Sequence, residues 1–230
     1  MPKRSKPSGN KKRDRARGIS SFNRKAETRT QRNCILIVCE GESTEPTYFE
    51  KLRIHLKLDS VDVIIRGEEC KSDPVSVVEY ALEQKKQRDR EAKISPTQAP
   101  FNEVWCVIDT ETPVDNQVAL ERATAKARAQ KKFMHLAVSN PCFEYWLLLH
   151  FRHTSQPFRN ASQVIHKLKE HLPNYEKRYQ DFEELFGLIE QAMGHAQAVR
   201  ANHVDGGRYP NPSTYVDQLV DVLVKMKNFN

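Results

Sequence analysis

Nowhere in these 230 residues does an apolar run approach the ~20 residues that span a bilayer, so no transmembrane helix is expected. The basic N-terminus also lacks the apolar core of a signal peptide, which points to a soluble, cytoplasmic protein. Cysteine is sparse and odd in number: Cys34, Cys39, Cys70, Cys106 and Cys142 show no CxxC spacing. Most of them lie inside apolar or helical patterns, which argues for reduced buried thiols and against a disulfide framework or a zinc site. Glycine is scarce as well, at eight residues. No Gly-x-x-x-x-Gly-Lys-Ser/Thr loop and no Gly-x-Gly-x-x-Gly is present, so neither NTP hydrolysis nor dinucleotide binding is indicated. There is no internal repeat.

The folded body has no excess of positive charge, although the chain carries a net +7. Residues 1–32 hold twelve Lys/Arg and two acids, leaving 25 basic against 28 acidic residues in the remainder. The basicity belongs to an N-terminal arm. Such an arm is expected to be disordered and to attract a polyanion in a salt-dependent, sequence-blind way.

What is present begins at Asn33. Cys34 to Cys39 (CILIVC) is apolar, β-branched at its heart and too short for a helix, the signature of a strand buried on both faces. It ends at Glu40-Gly41-Glu42-Ser43-Thr44-Glu45, where Gly41 permits a sharp turn and Thr44 can cap a helix running to about Leu58. Ser60 to Arg66 reads as a second strand. Asp73 and Pro74 open a helix to about Arg90, whose charged second half is expected to project into water. Asn102 to Asp109 (NEVWCVID) is a third strand closing on an acid, followed by an Ala-rich helix over residues 115–132. Phe133 to Val138 is a fourth strand. Ser139-Asn140-Pro141 then starts a helix through Phe151. Four strand–helix alternations predict an α/β domain over residues 33–153 with a mainly parallel sheet and flanking helices. From Phe158 onward no strand pattern remains, so residues 154–230 read as a helical extension with helices over 161–172, 179–200 and 213–227.

In a parallel sheet all strand C-termini share one edge, where open α/β sheets place their ligands. The first strand delivers Glu40 there, the third delivers Asp109 with Glu111, and the helix after the fourth delivers Glu144; Glu45 sits in the first helical turn. Residues 109 and 111 project to the same side in extended backbone. An all-oxygen cluster suits a hard cation such as Mg²⁺ or Mn²⁺. Each acid also has a plainer explanation: Glu45 and Glu144 complement a helix N-terminus, and Glu111 is solvated in a loop. Asp109, directly on an apolar strand end, requires a partner.

VCEGESTEPTYF, VWCVIDTE, SNPCFEYWLLLHF and NPSTYVDQLV, in that order, resemble the RloB-like (AbiLii-type) family over roughly Asn33 to Leu223. Members of that family resemble Toprim-domain proteins, the metal-binding fold of topoisomerases, primases and some nucleases. Toprim domains carry a Glu after the first strand and an Asp-x-Asp after the third. Glu40 matches the first, and Asp109-Thr110-Glu111 the second, with Glu in place of the second Asp. The resemblance implies a metal-dependent nuclease effector of bacterial phage defence, or abortive infection, encoded beside an AAA-type ATPase (RloA-like). It implies Asp109 and Glu111 as ligands of Mg²⁺ or Mn²⁺ and Glu40 as ligand or general base. Glu45 and Glu144 are candidates for a second metal.

Three further residues carry groups capable of chemistry. His150 stands three residues from His153, a ligand or base spacing, although a structural histidine packed beside Trp146 and Phe151 is the simpler explanation. Lys177, in Tyr175-Glu176-Lys177, can reach phosphate or lie solvated. Asn140 matches the family's Ser-Asn-Pro and is also explained by capping. Apart from the resemblance, two readings stand: a metal-dependent phosphodiesterase acting on RNA or DNA, or a non-catalytic nucleic-acid-binding or adaptor subunit.

Overall fold

The computed structural model describes residues 33–60, 63–67, 73–95, 98–110, 114–130, 133–176, 179, 181–203 and 208–227. The basic arm, Glu111 and Lys177 lie outside the described residues. The element order is β1 (Ile35–Cys39), α1 (Thr44–His55), β2 (Val63–Arg66), α2 (Pro74–Ile94), β3 (Glu103–Asp109), α3 (Val114–Ala129) and β4 (Met134–Asn140). There follow α4 (Glu144–Leu149), α5 (Ala161–Leu168), α6 (Glu183–Phe186), α7 (Ile189–Ala201), β5 (Ser213–Thr214) and α8 (Val216–Lys227).

The five strands form one sheet in the order β2-β1-β3-β4-β5, parallel except for β5. This is an α/β fold with a mostly parallel sheet. From β1 the chain steps to β2 on one side, then returns to β3 on the other. The carboxyl ends of β1 and β3 therefore flank the point where strand order reverses, the position at which doubly wound sheets open a crevice.

The apolar alternation of β1 is used on both sides. Ile35, Ile37 and Cys39 enter one core with Trp105 and Val107 of β3. Leu36 and Val38 enter a second core with Val104, Cys106 and Ile108 and with residues of α2 and α3. The first core is the larger. It runs from Ile35 through α1 and the WLLL stretch of α4 to Leu219, Leu223 and Met226 of α8. The C-terminal helices thus pack into the same core as the sheet.

Several sequence expectations shift. Ser43, not Thr44, holds the N-cap position of α1, and Thr44 is buried as its first helical residue. The strand after Phe133 continues through Ser139 and Asn140, because β5 pairs with those two residues. Neither extension nor β5 has a periodicity to betray it. The helix after Pro141 begins at Glu144. The helix expected over 179–200 is broken between Phe186 and Ile189. The charged half of α2 is only partly solvated: Arg88 Nε donates to Ala99 O (2.8 Å) and its guanidinium lies 5.3 Å from the Phe101 ring centroid. The long aliphatic stems of such residues cover apolar surface while the charge finds a partner.

β5 is fixed from behind by one ion pair. Arg200 of α7 meets Asp217 of α8 through two hydrogen bonds of 2.7 and 2.6 Å and also donates to Thr214 O. Its guanidinium stacks 4.8 Å from the Tyr215 ring. The Asp217 side chain is 2 % exposed. Removing the cation would strand a buried carboxylate, which costs about 3–5 kcal/mol. Arg200→Ala is therefore expected to lower the unfolding free energy by about 3 kcal/mol, read as a reduced urea midpoint. A loss under about 1 kcal/mol would class the pair with surface ion pairs.

Candidate active site

Glu40 immediately follows β1, where its N–H continues the β ladder by donating to Val107 O (3.0 Å). Its side chain returns to β3: Asp109 N donates to Glu40 Oε2 at 3.0 Å. The two strand-end acids are thus joined by one hydrogen bond. Burial, followed by the repulsion of Asp73, pushes the Glu40 carboxyl up to about 6, despite the opposing effect of the Asp109 amide.

Asp109 is more strongly perturbed. Its Oδ1 is buried and has no hydrogen-bond partner among the described residues. The Phe143 amide, at the threshold of α4, supplies the hydrogen bond that favours its charged form. Against that stand burial first, then repulsion from Glu45, Glu144 and Glu40, and the carboxyl is held well above the usual carboxylate range. Glu45 and Glu144 are themselves 8 % and 6 % exposed. Glu144 accepts from Tyr175 Oη at 2.9 Å, and burial keeps that phenol protonated.

Glu45 packs against Gly41. No described glycine has a positive φ, so the residue is not demanded by backbone handedness. A Cβ at Gly41 would meet the Glu45 carboxylate, which would have to move aside. The glycine leaves room for a carboxylate folded back over the β1–α1 turn.

The structure therefore brings Glu40, Glu45, Asp109 and Glu144 into one electrostatically coupled group. Asp73 joins it, a residue whose sequence signal was only that of a helix cap. It does cap α2, accepting from Val75 N and Ser76 N at 3.1 and 3.0 Å. The signal that could have found it is topological: the start of a helix after β2 lies at the carboxyl edge of the sheet. Asn140 does not cap α4; its Nδ2 donates to Tyr209 O at 2.8 Å and so ties β4 to the segment before β5. His150 lies among the rings of Trp146 and Tyr48, with Nδ1 3.0 Å from Trp146 O. Burial pushes it down to about 4, so it is neutral at physiological pH.

A family model for RloB-like protein matches residues 35–223. The chain belongs to the RloB-like family. No curated protein and no solved structure matches this RloB-like chain. Among its described residues no helix is long and apolar enough to cross a membrane. The four acids of the rim all fall inside the matched span.

What the rim can do follows from its donors. Among the described residues no three His, Cys, Asp or Glu side chains form a ready-made metal cage. The donor chemistry nevertheless suits a hard cation: the atoms are carboxylate oxygens, and Asp109 Oδ1 is buried without a partner. Without a cation, this RloB-like site is relieved by protons. Because the folded pKa values of Glu40 and Asp109 are raised, the native state holds protons that the unfolded chain releases. Stability then falls as pH rises from the ordinary carboxylate range through those raised values, by about 2 kcal/mol for Glu40 alone. Asp109→Asn keeps an acceptor for the Phe143 amide and offers an NH₂ to the neighbouring carboxylates. It should raise the thermal midpoint at pH 8 in metal-free buffer, with the gain shrinking toward pH 4.5. A variant less stable than wild type at pH 8 would mean that the charge is structural.

Proposed function

We propose that this RloB-like protein is a Toprim-like, metal-dependent enzyme that hydrolyses phosphodiester bonds of RNA or DNA. The observation that carries the proposal is the buried, partnerless Oδ1 of Asp109, ringed by Glu40, Glu45 and Glu144 at the sheet's switch point. Perturbed carboxyls concentrate at functional sites. The AbiLii-type resemblance supports a role in bacterial phage defence with an AAA-type ATPase (RloA-like) as partner and a cytoplasmic location. An arm with twelve basic residues supports a nucleic-acid substrate.

In this reading Asp109 and Glu111 would hold Mg²⁺ or Mn²⁺, with Glu40 alongside. Glu45 and Glu144 would serve a second ion. Bound there, the ion would polarise a phosphoryl oxygen and acidify a water. Glu40, with a pKa of about 6, is matched to take a proton near neutral pH. Its Oε2 is held by the Asp109 amide, which orients the carboxyl without consuming Oε1. Tyr175 fixes Glu144 through its hydroxyl.

A second reading, a non-catalytic nucleic-acid-binding or adaptor subunit, draws on the same contacts. The Phe143 amide and the Tyr175 hydroxyl give two of the acids structural partners. One experiment separates the readings. With the ATPase co-expressed, Glu40→Gln and Asp109→Asn are expected to cut metal-dependent cleavage by about 10²-fold or more, leaving nucleic-acid affinity intact. Deleting residues 1–32 should do the reverse, lowering affinity and flattening its salt dependence. Undiminished cleavage by Asp109→Asn would overturn the assignment.

A further inference from the structure

Beside the acidic rim, on the β4 side, lies a cavity of about 680 Å³. It begins at Thr110, the residue after Asp109, and at Asn140, the end of β4. Thr110 N donates to Ser139 O at 2.9 Å, so this wall is a continuation of the sheet edge. The opposite wall is one stripe of α3. Ala123 faces the core, while Gln117, Leu120, Glu121, Thr124 and Arg128, at helical spacing, line the cavity. The third wall is Arg208, Tyr209 and Asn211 from the segment preceding β5.

Three features make this a built site. Its walls are pinned: Asn140 holds the Tyr209 carbonyl, and the Asn211 amide both accepts from Phe158 N (3.0 Å) and donates to Phe158 O (2.7 Å). Thr124 Oγ1, on a side chain 5 % exposed, is buried with no partner among the described residues. Arg128 and Arg208, both exposed, form no ion pair among the described residues, and Glu121 on the outer rim is the one acid in the described lining.

The volume lies in the range of small-ligand sites. Guanidinium groups such as those of Arg128 and Arg208 select a phosphate, which they bind with planar, charge-assisted hydrogen bonds. The half-buried Tyr209, whose ring meets Tyr215 edge-on at 5.4 Å and carries the Arg208 guanidinium 5.8 Å from its centroid, offers a surface on which a base can stack in place of that cation. The hydroxyl and amide groups of the lining suit a base edge or sugar. We propose that this cavity seats a single nucleotide of the strand delivered to Asp109 and Glu40, its phosphate on Arg128 and Arg208 and its base against Tyr209. The strand's path to the rim rests on the phosphodiesterase reading; the pocket's affinity for a nucleotide does not.

The test is calorimetric titration of the full-length chain, in EDTA, with ribo- and deoxyribonucleoside 5′-monophosphates and with inorganic phosphate. At least one nucleotide series is expected to bind about tenfold more tightly than inorganic phosphate, since stacking adds to the phosphate contact. Whether the ribo or the deoxy series binds better assigns the strand as RNA or DNA. Arg128→Gln or Arg208→Gln should weaken the nucleotide about tenfold or more, and Ala125→Trp, which fills the cavity without touching its charges, should abolish binding. Arg128, Arg208 and Ala125 are exposed, and unchanged thermal midpoints would show that the variants fold. Nucleotide binding insensitive to all three substitutions, or no tighter than phosphate for either series, overturns the proposal. Binding that follows the pattern in a protein that cuts nothing, even with its ATPase, would sustain the pocket and remove the phosphodiesterase reading.

Discussion

One hydrogen bond and the repulsion around it organise this molecule. The amide of Asp109 reaches across from β3 to the carboxylate of Glu40 at the end of β1, and both acids sit where burial penalises their charge. Three more carboxyls, from Asp73, Glu45 and Glu144, press on the pair. A helix N-terminus tolerates one acid gladly; five around one crevice cost stability at neutral pH. The cost is sustainable because two apolar cores hold β1 and β3 rigidly on either face.

The surrounding structure supplies that rigidity economically. α1 and α4 bring Glu45 and Glu144 over the strand ends, each helix anchored by rings that meet in the larger core: Tyr48 lies 5.5 Å from both Phe143 and Phe182 by ring centroid. The same core continues into the C-terminal helices, so Tyr175 can reach back to Glu144. On the other flank the Arg200–Asp217 pair positions β5 and, with Asn140, the segment carrying Arg208 and Tyr209. The acidic crevice and the basic cavity thus share the edge formed by β3 and β4.

Much of this was legible before any coordinate. An apolar run that stops on an acid is a strong signal, because a carboxyl at the end of a doubly buried strand must find a partner. Glu40 and Asp109 were found that way, and Glu144 through the proline-started helix. Glu111, from the same motif as Asp109, and Lys177, from the separate Tyr175-Glu176-Lys177 patch, fall outside the described residues. What escaped was whatever depends on pairing between distant segments. Arg128 falls within the Ala-rich helix and Arg208 outside every expected element, and no motif singles out either. Only the two-residue β5, which has no periodicity to read, brings them to one cavity. Asp73 was hidden by a simpler explanation, helix capping, that is also true. Gly41 lies in the expected turn, and the Glu45 carboxylate occupies the space that a Cβ there would need.

The central claim is that the strand-end acids are a cation site and not a structural curiosity. The most direct test is calorimetric titration of Mn²⁺ into the wild-type chain and Asp109→Asn at pH 6.5, repeated in two buffers of different ionisation enthalpy. The account predicts saturable binding by the wild type, heat that depends on the buffer because the ion displaces protons from Glu40 and Asp109, and loss of binding in the variant. Equal binding by the variant, or no binding by either, would contradict it.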